Sequence, residues 1–151
     1  MTFLTLVTLH LLAAVVWIGG MLFLGLVLAP VLRQRPPVER AALVSAVGRR
    51  FLKIAWAALA VLLLTGSILW AFRGFHLTLV LIAKLALVGV ILLLSLVHDF
   101  LLGPRLVAQL ERGGHGEETV RLRRQVTALA RLNALCAVVV LVLGLAMSRG
   151  L

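Results

Sequence analysis

The chain has 151 residues, of which 63% are hydrophobic and 13% charged, and its formal net charge is +10. A soluble domain carries roughly 45–50% apolar and about 25% charged residues, so there are too few polar groups here to coat a water-soluble monomer. A basic charge of this size marks a nucleic-acid binder only on a water-exposed scaffold; that scaffold is missing, and no nucleic-acid partner is expected. The single Cys136 excludes a disulfide framework and any CxxC metal or redox site. Membrane β-strands would alternate polar and apolar residues over about ten positions, a pattern the chain lacks. An all-α, polytopic, single-domain membrane protein remains, with the lipid bilayer as its first partner.

Four spans follow in chain order. Residues 2–32 hold no charged side chain and exceed the roughly 20 apolar residues that cross a bilayer. No basic segment precedes them, so they read as an uncleaved first span rather than a signal peptide. The other spans are expected over about 52–73, 76–103 and 122–148, with connections over 33–51 and 104–121. Pro36-Pro37 suits a helix start, and Val38 to Arg50 mixes apolar and basic residues as an interfacial helix leading into span two would. Gly103-Pro104 should end or kink helix three, and Gly113-Gly114-His115-Gly116 should turn the chain. Glu117 and Glu118 then favour a helix start. No internal repeat is detected.

Eleven of the fifteen basic residues lie in or just beside the first and third connections, six from Arg33 to Lys53 and five from Arg105 to Arg124, against Arg73 in the second and Arg149 at the C-terminus. Under the positive-inside rule those two connections are cytoplasmic. The expected fold is therefore a four-helix bundle with both termini facing outward, periplasmic or extracellular. The net charge then needs no polyanionic partner.

Ionisable groups inside a span are costly and usually face a bundle interior or water. Here they are His10, Lys84, His98, Asp99 and Arg131, with Asn133 as a neutral companion. A rise of 1.5 Å per residue puts His10 and Lys84 roughly 10 Å inside the outer surface, and His98 about 21 Å deeper than Lys84. Two layers result: His10, Lys84 and His76 with Trp70 outside, and His98, Asp99, Arg131 and Asn133 with Lys53 and Trp56 inside. Helical spacing gives inward stripes of His10 and Trp17 with Ala13, Ala14 and Gly20; of Lys84, Val88, Ile91, Ser95 and His98; and of Trp56, Leu63, Ser67 and Trp70. Each group has an ordinary alternative. His10 can bond a neighbouring helix, Lys84 can snorkel, His98-Asp99 can be an interfacial charge pair, and Arg131 can snorkel or pair with Asp99. His76 and His115 can be solvated loop residues. Trp56 and Trp70 suit an interfacial belt, whereas Trp17 lies deeper.

Neutral imidazole ligates both copper and haem iron. Two axial histidines must each lie about 2 Å from one iron, which the depth difference denies to His10 and His98 within one monomer; either each serves a separate centre, or His10 finds another partner such as His76. A Cu(I) path prefers sulfur, and here Cys136, Met21 and Met147 lie at scattered depths. No hydrolase motif, phosphate-binding loop or HExxH motif occurs.

The segments Leu9-His10-Leu11-Leu12-Ala13-Ala14-Val15-Val16-Trp17-Ile18-Gly19-Gly20, Val47-Gly48-Arg49-Arg50-Phe51, Thr65-Gly66, and Lys84 followed by Val97-His98-Asp99-Phe100 together resemble the membrane domain of the copper-resistance D (CopD-like) family. The resemblance covers almost the whole chain. The first-helix His…Trp pattern and the third-helix Lys and His are also similar, more distantly, to HemJ-type protoporphyrinogen oxidases. The first resemblance implies copper or related metal handling and transport, often beside a periplasmic copper-binding protein. The second implies a haem b oxidoreductase acting on an acidic porphyrin-type or quinone substrate. His10 matches the first-helix histidine and Lys84 the third-helix lysine, while Ala29-Pro30 and Leu32-Arg33 stand where a second HemJ-type histidine is expected.

Three function classes follow. In a copper-handling protein, His10, with His76 as an alternative partner, holds the metal. In a haem enzyme, His10 or His98 is axial, Trp17 lines the cofactor, and Lys84 or Arg131 steers an acidic substrate. Lys84, Asp99, Arg131 and Asn133 are the candidates for a substrate or charge network; in a structural or assembly subunit without a bound centre, the polar layers serve only helix packing. Four spans leave a tight path within one monomer, which would favour a homodimer, although no packing motif marks one.

Overall fold

Four long helical segments account for nearly all of the computed structural model, which describes residues 2–113 and 116–148. Gly114, His115 and Arg149, named in the sequence reading, lie outside the described residues. In chain order the elements are α1 (Thr2–Phe23), a π-helical segment (Leu24–Leu28), α2 (Ala29–Arg33), α3 (Pro37–Phe72), α4 (Leu79–Leu96), a second π-helical segment (Val97–Leu102), α5 (Gly103–Glu111) and α6 (Glu117–Ser148). Every regular element among the described residues is helical. The four continuous segments Thr2–Arg33, Val38–Phe72, Leu79–Glu111 and Glu117–Ser148 are each long and apolar enough to cross a bilayer.

The chain divides into two units, Met1–Pro36 with Ala42–Thr78, and Pro37–Ala41 with Leu79–Leu151. In the first unit α1 runs antiparallel to α3. The Phe3 and Phe72 rings meet edge to face with centroids 6.2 Å apart. Seven residues on along α1 and seven back along α3, His10 meets Thr65. In the second unit α4 runs antiparallel to α6, with Ser95 bonded to Asn133 and Lys84 beside Gly144.

The helices overrun the apolar windows that suggest them. Val38 to Arg50 is not a separate interfacial helix but the opening turns of α3, which runs unbroken for 36 residues. Gly103-Pro104 does not end helix three. Proline lacks an N–H and its ring crowds the carbonyl four residues back, and here the preceding turn is widened to the π form, with Gly103 N–H bonded to the His98 carbonyl. The helix then continues as α5. Helix three also starts later than expected, at Leu79 rather than residue 76. Phe75 N–H bonds Trp70 O at 3.2 Å and Gly74 N–H bonds Ala71 O at 2.9 Å, with φ of 66° at Gly74 and 57° at Phe75. This is a Schellman stop completed by its customary apolar contact, the Trp70 and Phe75 rings packing at 5.2 Å.

The units share one plan that is not a repeat of residue types. Ala29 N–H bonds the Leu24 carbonyl as Gly103 N–H bonds that of His98, and a proline follows each, in Leu28-Ala29-Pro30-Val31-Leu32 and Leu102-Gly103-Pro104-Arg105-Leu106. His10 and Lys84 each stand twenty residues before that proline. Adding 74 carries the buried or half-buried positions 10, 14, 17, 18, 21 and 24 onto 84, 88, 91, 92, 95 and 98, which are buried or half-buried too. Adding 78 carries Ala55, Ala58, Leu59, Leu62, Thr65, Gly66 and Leu69 of α3 onto Asn133, Cys136, Ala137, Val140, Leu143, Gly144 and Met147 of α6, again an inward face in both. Few residue types are shared, so the repeat lies in register and burial rather than in letters.

Candidate functional site

The polar centre of the first unit is His10 with Thr65 and Gly66. His10 Nδ1 lies 2.8 Å from Thr65 Oγ1, and Thr65 is 6% exposed. The Thr65 hydroxyl has one proton, which it donates to the Val61 carbonyl at 2.6 Å, the usual back-bond of a helical threonine. Its oxygen therefore accepts from His10, and this proton count assigns Nδ1–H to the imidazole. The lone pair of neutral His10 then sits on Nε2, the atom a metal ion would use. The ring lies over Gly66, where an added Cβ would stand 3.3 Å from His10 Cε1. Eight residues separate His10 from the start of α1 and seven separate Thr65 from the end of α3, so both lie roughly 10–12 Å in from the same end.

Thr65→Val keeps the shape and removes the acceptor. Intramembrane interhelical hydrogen bonds average about 0.6 kcal/mol, and this substitution is expected to lower stability by that amount in reversible detergent unfolding.

Trp17, two turns beyond His10 on the same face, is 6% exposed, and Ala13 is buried beside it. The α3 stripe expected from Trp56, Leu63, Ser67 and Trp70 is corrected. Leu63 and Ser67 are exposed, and the inward face runs through Ala55, Ala58, Leu59 and Thr65. Small residues there let α1 approach closely. Trp70 instead donates Nε1–H to the His76 carbonyl at 3.3 Å, and the exposed His76 ring lies over Gly74, 3.5 Å from where its Cβ would be.

In the second unit the expected stripe Lys84, Val88, Ile91, Ser95 and His98 is buried or half-buried throughout. The Lys84 ammonium reaches the α6 backbone at Gly144, 3.5 Å from the place of a Cβ. Asn133 Nδ2 donates to Ser95 Oγ at 3.0 Å with both residues buried. His98 Nδ1 and Asp99 Oδ1 are 2.7 Å apart; a carboxylate only accepts, so the imidazole donates. Arg131, two residues from Asn133, is on the exposed side of α6. Among the described residues no group of three His, Cys, Asp or Glu side chains is placed to hold a metal ion.

Thr65, Gly66 and Gly144 were not among the expected site residues. A threonine before a glycine in an apolar run is the only sequence signal of the first two, and their relation to His10 emerges only from the antiparallel register of α1 and α3.

A family model described as copper resistance protein D matches residues 45–147. That stretch contains Thr65, Gly66, Lys84, Ser95, His98, Asp99, Asn133 and Gly144; His10 precedes it. An uncharacterized protein of Aquifex aeolicus (strain VF5) is 36% identical over 104 residues, covering 64% of this chain and 68% of that protein. No solved structure matches the chain. The similarity to HemJ-type oxidases is not borne out by these matches. With the family model covering more than half of its length and four helices able to span a bilayer, the chain is a multi-pass membrane protein belonging to the copper resistance protein D family.

Proposed function

We propose that this protein receives and passes on copper, or a related metal ion, at the end of the first unit where His10 meets Thr65, with both chain termini on the side from which the metal arrives. The observation that supports this reading is the 2.8 Å contact between His10 Nδ1 and Thr65 Oγ1, which, with the Thr65 proton given to Val61, makes Nε2 the ligating atom of a neutral imidazole. A hydroxyl that orients a ligating imidazole sets its tautomer and ring direction, and a histidine kept inside a span at the cost of burying it is by default a functional group. A single protein imidazole holds a metal ion loosely, which suits transfer: a conducted ion must bind well enough to enter and weakly enough to leave. The metal is cargo, and its remaining ligands come from whatever delivers it, a periplasmic copper-binding protein in a bacterial inner membrane. In the second unit, Lys84 reaches α6 at Gly144, and Asn133 holds α6 to α4 through Ser95.

The test is elemental analysis of protein purified in mild detergent after copper loading. Wild type should retain copper, and His10→Ala should lose it by roughly 10-fold or more, with Thr65→Val intermediate. Equal copper in wild type and His10→Ala, or a strong Soret band in the wild-type sample, would overturn the reading.

A further inference from the structure

We infer that α3 carries a binding site for one anionic phospholipid, its headgroup held by Arg49, Arg50 and Lys53. These residues and Ala46 line a groove of about 390 Å³. Positions 46, 49, 50 and 53 follow the i, i+3, i+4, i+7 spacing of a single helix face. At 3.6 residues per turn that face is across the helix from the inward stripe of Ala55, Ala58, Leu59 and Thr65, so it looks away from α1. Arg49 Nη1 donates to Ser45 Oγ one turn back, which steadies the guanidinium on this face.

Three observations select the ligand. Residues 1–36 and 42–78 contain six Lys and Arg and no Asp or Glu, so the first unit supplies no carboxylate to these cations. Along α3 the nearest acidic residue is Glu39, ten positions before Arg49 and about 15 Å away. Arg50 stands twenty residues before Trp70, about 30 Å along the helix axis, which is the thickness of a hydrocarbon core. The groove is thus at the phosphate level of the surface opposite to Trp70. Beyond Lys53 the same face continues as exposed Ala57, Ala60 and Leu64, an apolar track that an acyl chain can follow and a free phosphate cannot use.

The repeat supplies an internal comparison. In the second unit a groove of about 380 Å³ lies at the corresponding level, lined by Leu102, Gln125, Ala128, Leu129 and Leu132; Ala128 corresponds to Arg50 when 78 is added. No charged residue lines it. Its other walls do not follow that shift, which carries Ala46, Arg49 and Lys53 onto Arg124, Thr127 and Arg131, so the basic groove is a feature of the first unit alone.

Native mass spectrometry of the full chain, released from detergent with equal phosphatidylglycerol and phosphatidylcholine, tests the inference. Wild type should retain one phosphatidylglycerol per chain with roughly tenfold preference. Arg50→Gln/Lys53→Gln should abolish that preference, and Ala46→Leu, which fills the groove and leaves the charge unchanged, should abolish it too. Arg123→Gln/Arg124→Gln, outside both grooves, should keep it. Should the double glutamine variant fail to fold, Lys53→Gln alone and Ala46→Leu carry the test. Equal retention of the two lipids by wild type would overturn the inference, as would full retention in Ala46→Leu, which would mean diffuse attraction. Displacement of the lipid by inorganic phosphate or glycerol phosphate at matched concentration would overturn it in favour of a free-phosphate site.

Discussion

Gly20→Ala is expected to destabilise the α1–α3 pair by about 1–3 kcal/mol, the usual cost of forcing an extra group into a closed contact. A Cβ on Gly20 would overlap Phe51 Cε2 and fall 2.7 Å from Cζ and 3.2 Å from Cδ2. One whole edge of the ring occupies the space, so no small rotation of a terminal atom relieves the clash. The ring must leave its rotamer or the helices must part. Gly19 is the matched control, since a Cβ there meets nothing within 4 Å, and Gly19→Ala should change stability little. Phe51→Leu should recover part of the loss when combined with Gly20→Ala, because residues in direct contact are coupled and their effects do not add. Reversible unfolding in mixed detergent measures all four proteins. Equal stability of Gly20→Ala and Gly19→Ala would contradict the described contact between α1 and α3.

The second large effect concerns Gly66, and it should reach function with His10 left in place. An alanine Cβ would stand 3.3 Å from His10 Cε1, so Gly66→Ala requires the imidazole to yield by a few tenths of an ångström. Gly66→Val adds two methyl groups beyond that point and should drive the ring off Thr65 Oγ1. If the hydrogen bond to Thr65 is what presents Nε2, copper retained by Gly66→Val should fall by roughly 10-fold or more, the range for disturbing a ligand's orienting partner. Gly66→Ala should fall between it and wild type. Helix content by circular dichroism should be unchanged in both. Wild-type copper retention in Gly66→Val would show that the seat of the imidazole does not matter.

Some of this architecture is legible in the letters because it is written in hydropathy and charge. The absence of charge from residues 2–32 and the crowding of basic residues into two connections mark the long apolar helices directly. The inward face of α1 is legible as well, since His10 and Trp17 are unusual in an apolar run and lie seven residues apart. The face of α3 is not. Trp56 and Trp70 suggest a stripe because they are large and polar at one end, but the buried face is Ala55, Ala58, Leu59 and Thr65, of which Thr65 meets His10 of α1. In a bilayer, association follows close packing rather than hydrophobicity, so small residues mark the interface and hydropathy cannot tell them from lipid-facing alanines.

The true helix ends were hidden for a related reason. The apolar window reports where hydrocarbon lies, whereas Val38 to Arg50 stays helical beyond it. Pro104 looks like a terminator until the π-helical turn before it is seen. The repeat was hidden because corresponding positions carry different side chains, His10 and Lys84 or Trp17 and Ile91, and agree only in burial and in the proline that follows. The Thr65 proton count could not be made from sequence, because it depends on two hydrogen bonds made by one oxygen.

X-ray absorption at the copper edge addresses the central claim most directly, because imidazole bound to copper gives a characteristic outer-shell scattering pattern. The protein should be loaded with copper in mild detergent and measured as wild type, His10→Ala and His98→Ala. Imidazole scattering in wild type and His98→Ala, together with its loss in His10→Ala, is the predicted result. The same imidazole signal in His10→Ala as in wild type would contradict the assignment of His10 as the ligand.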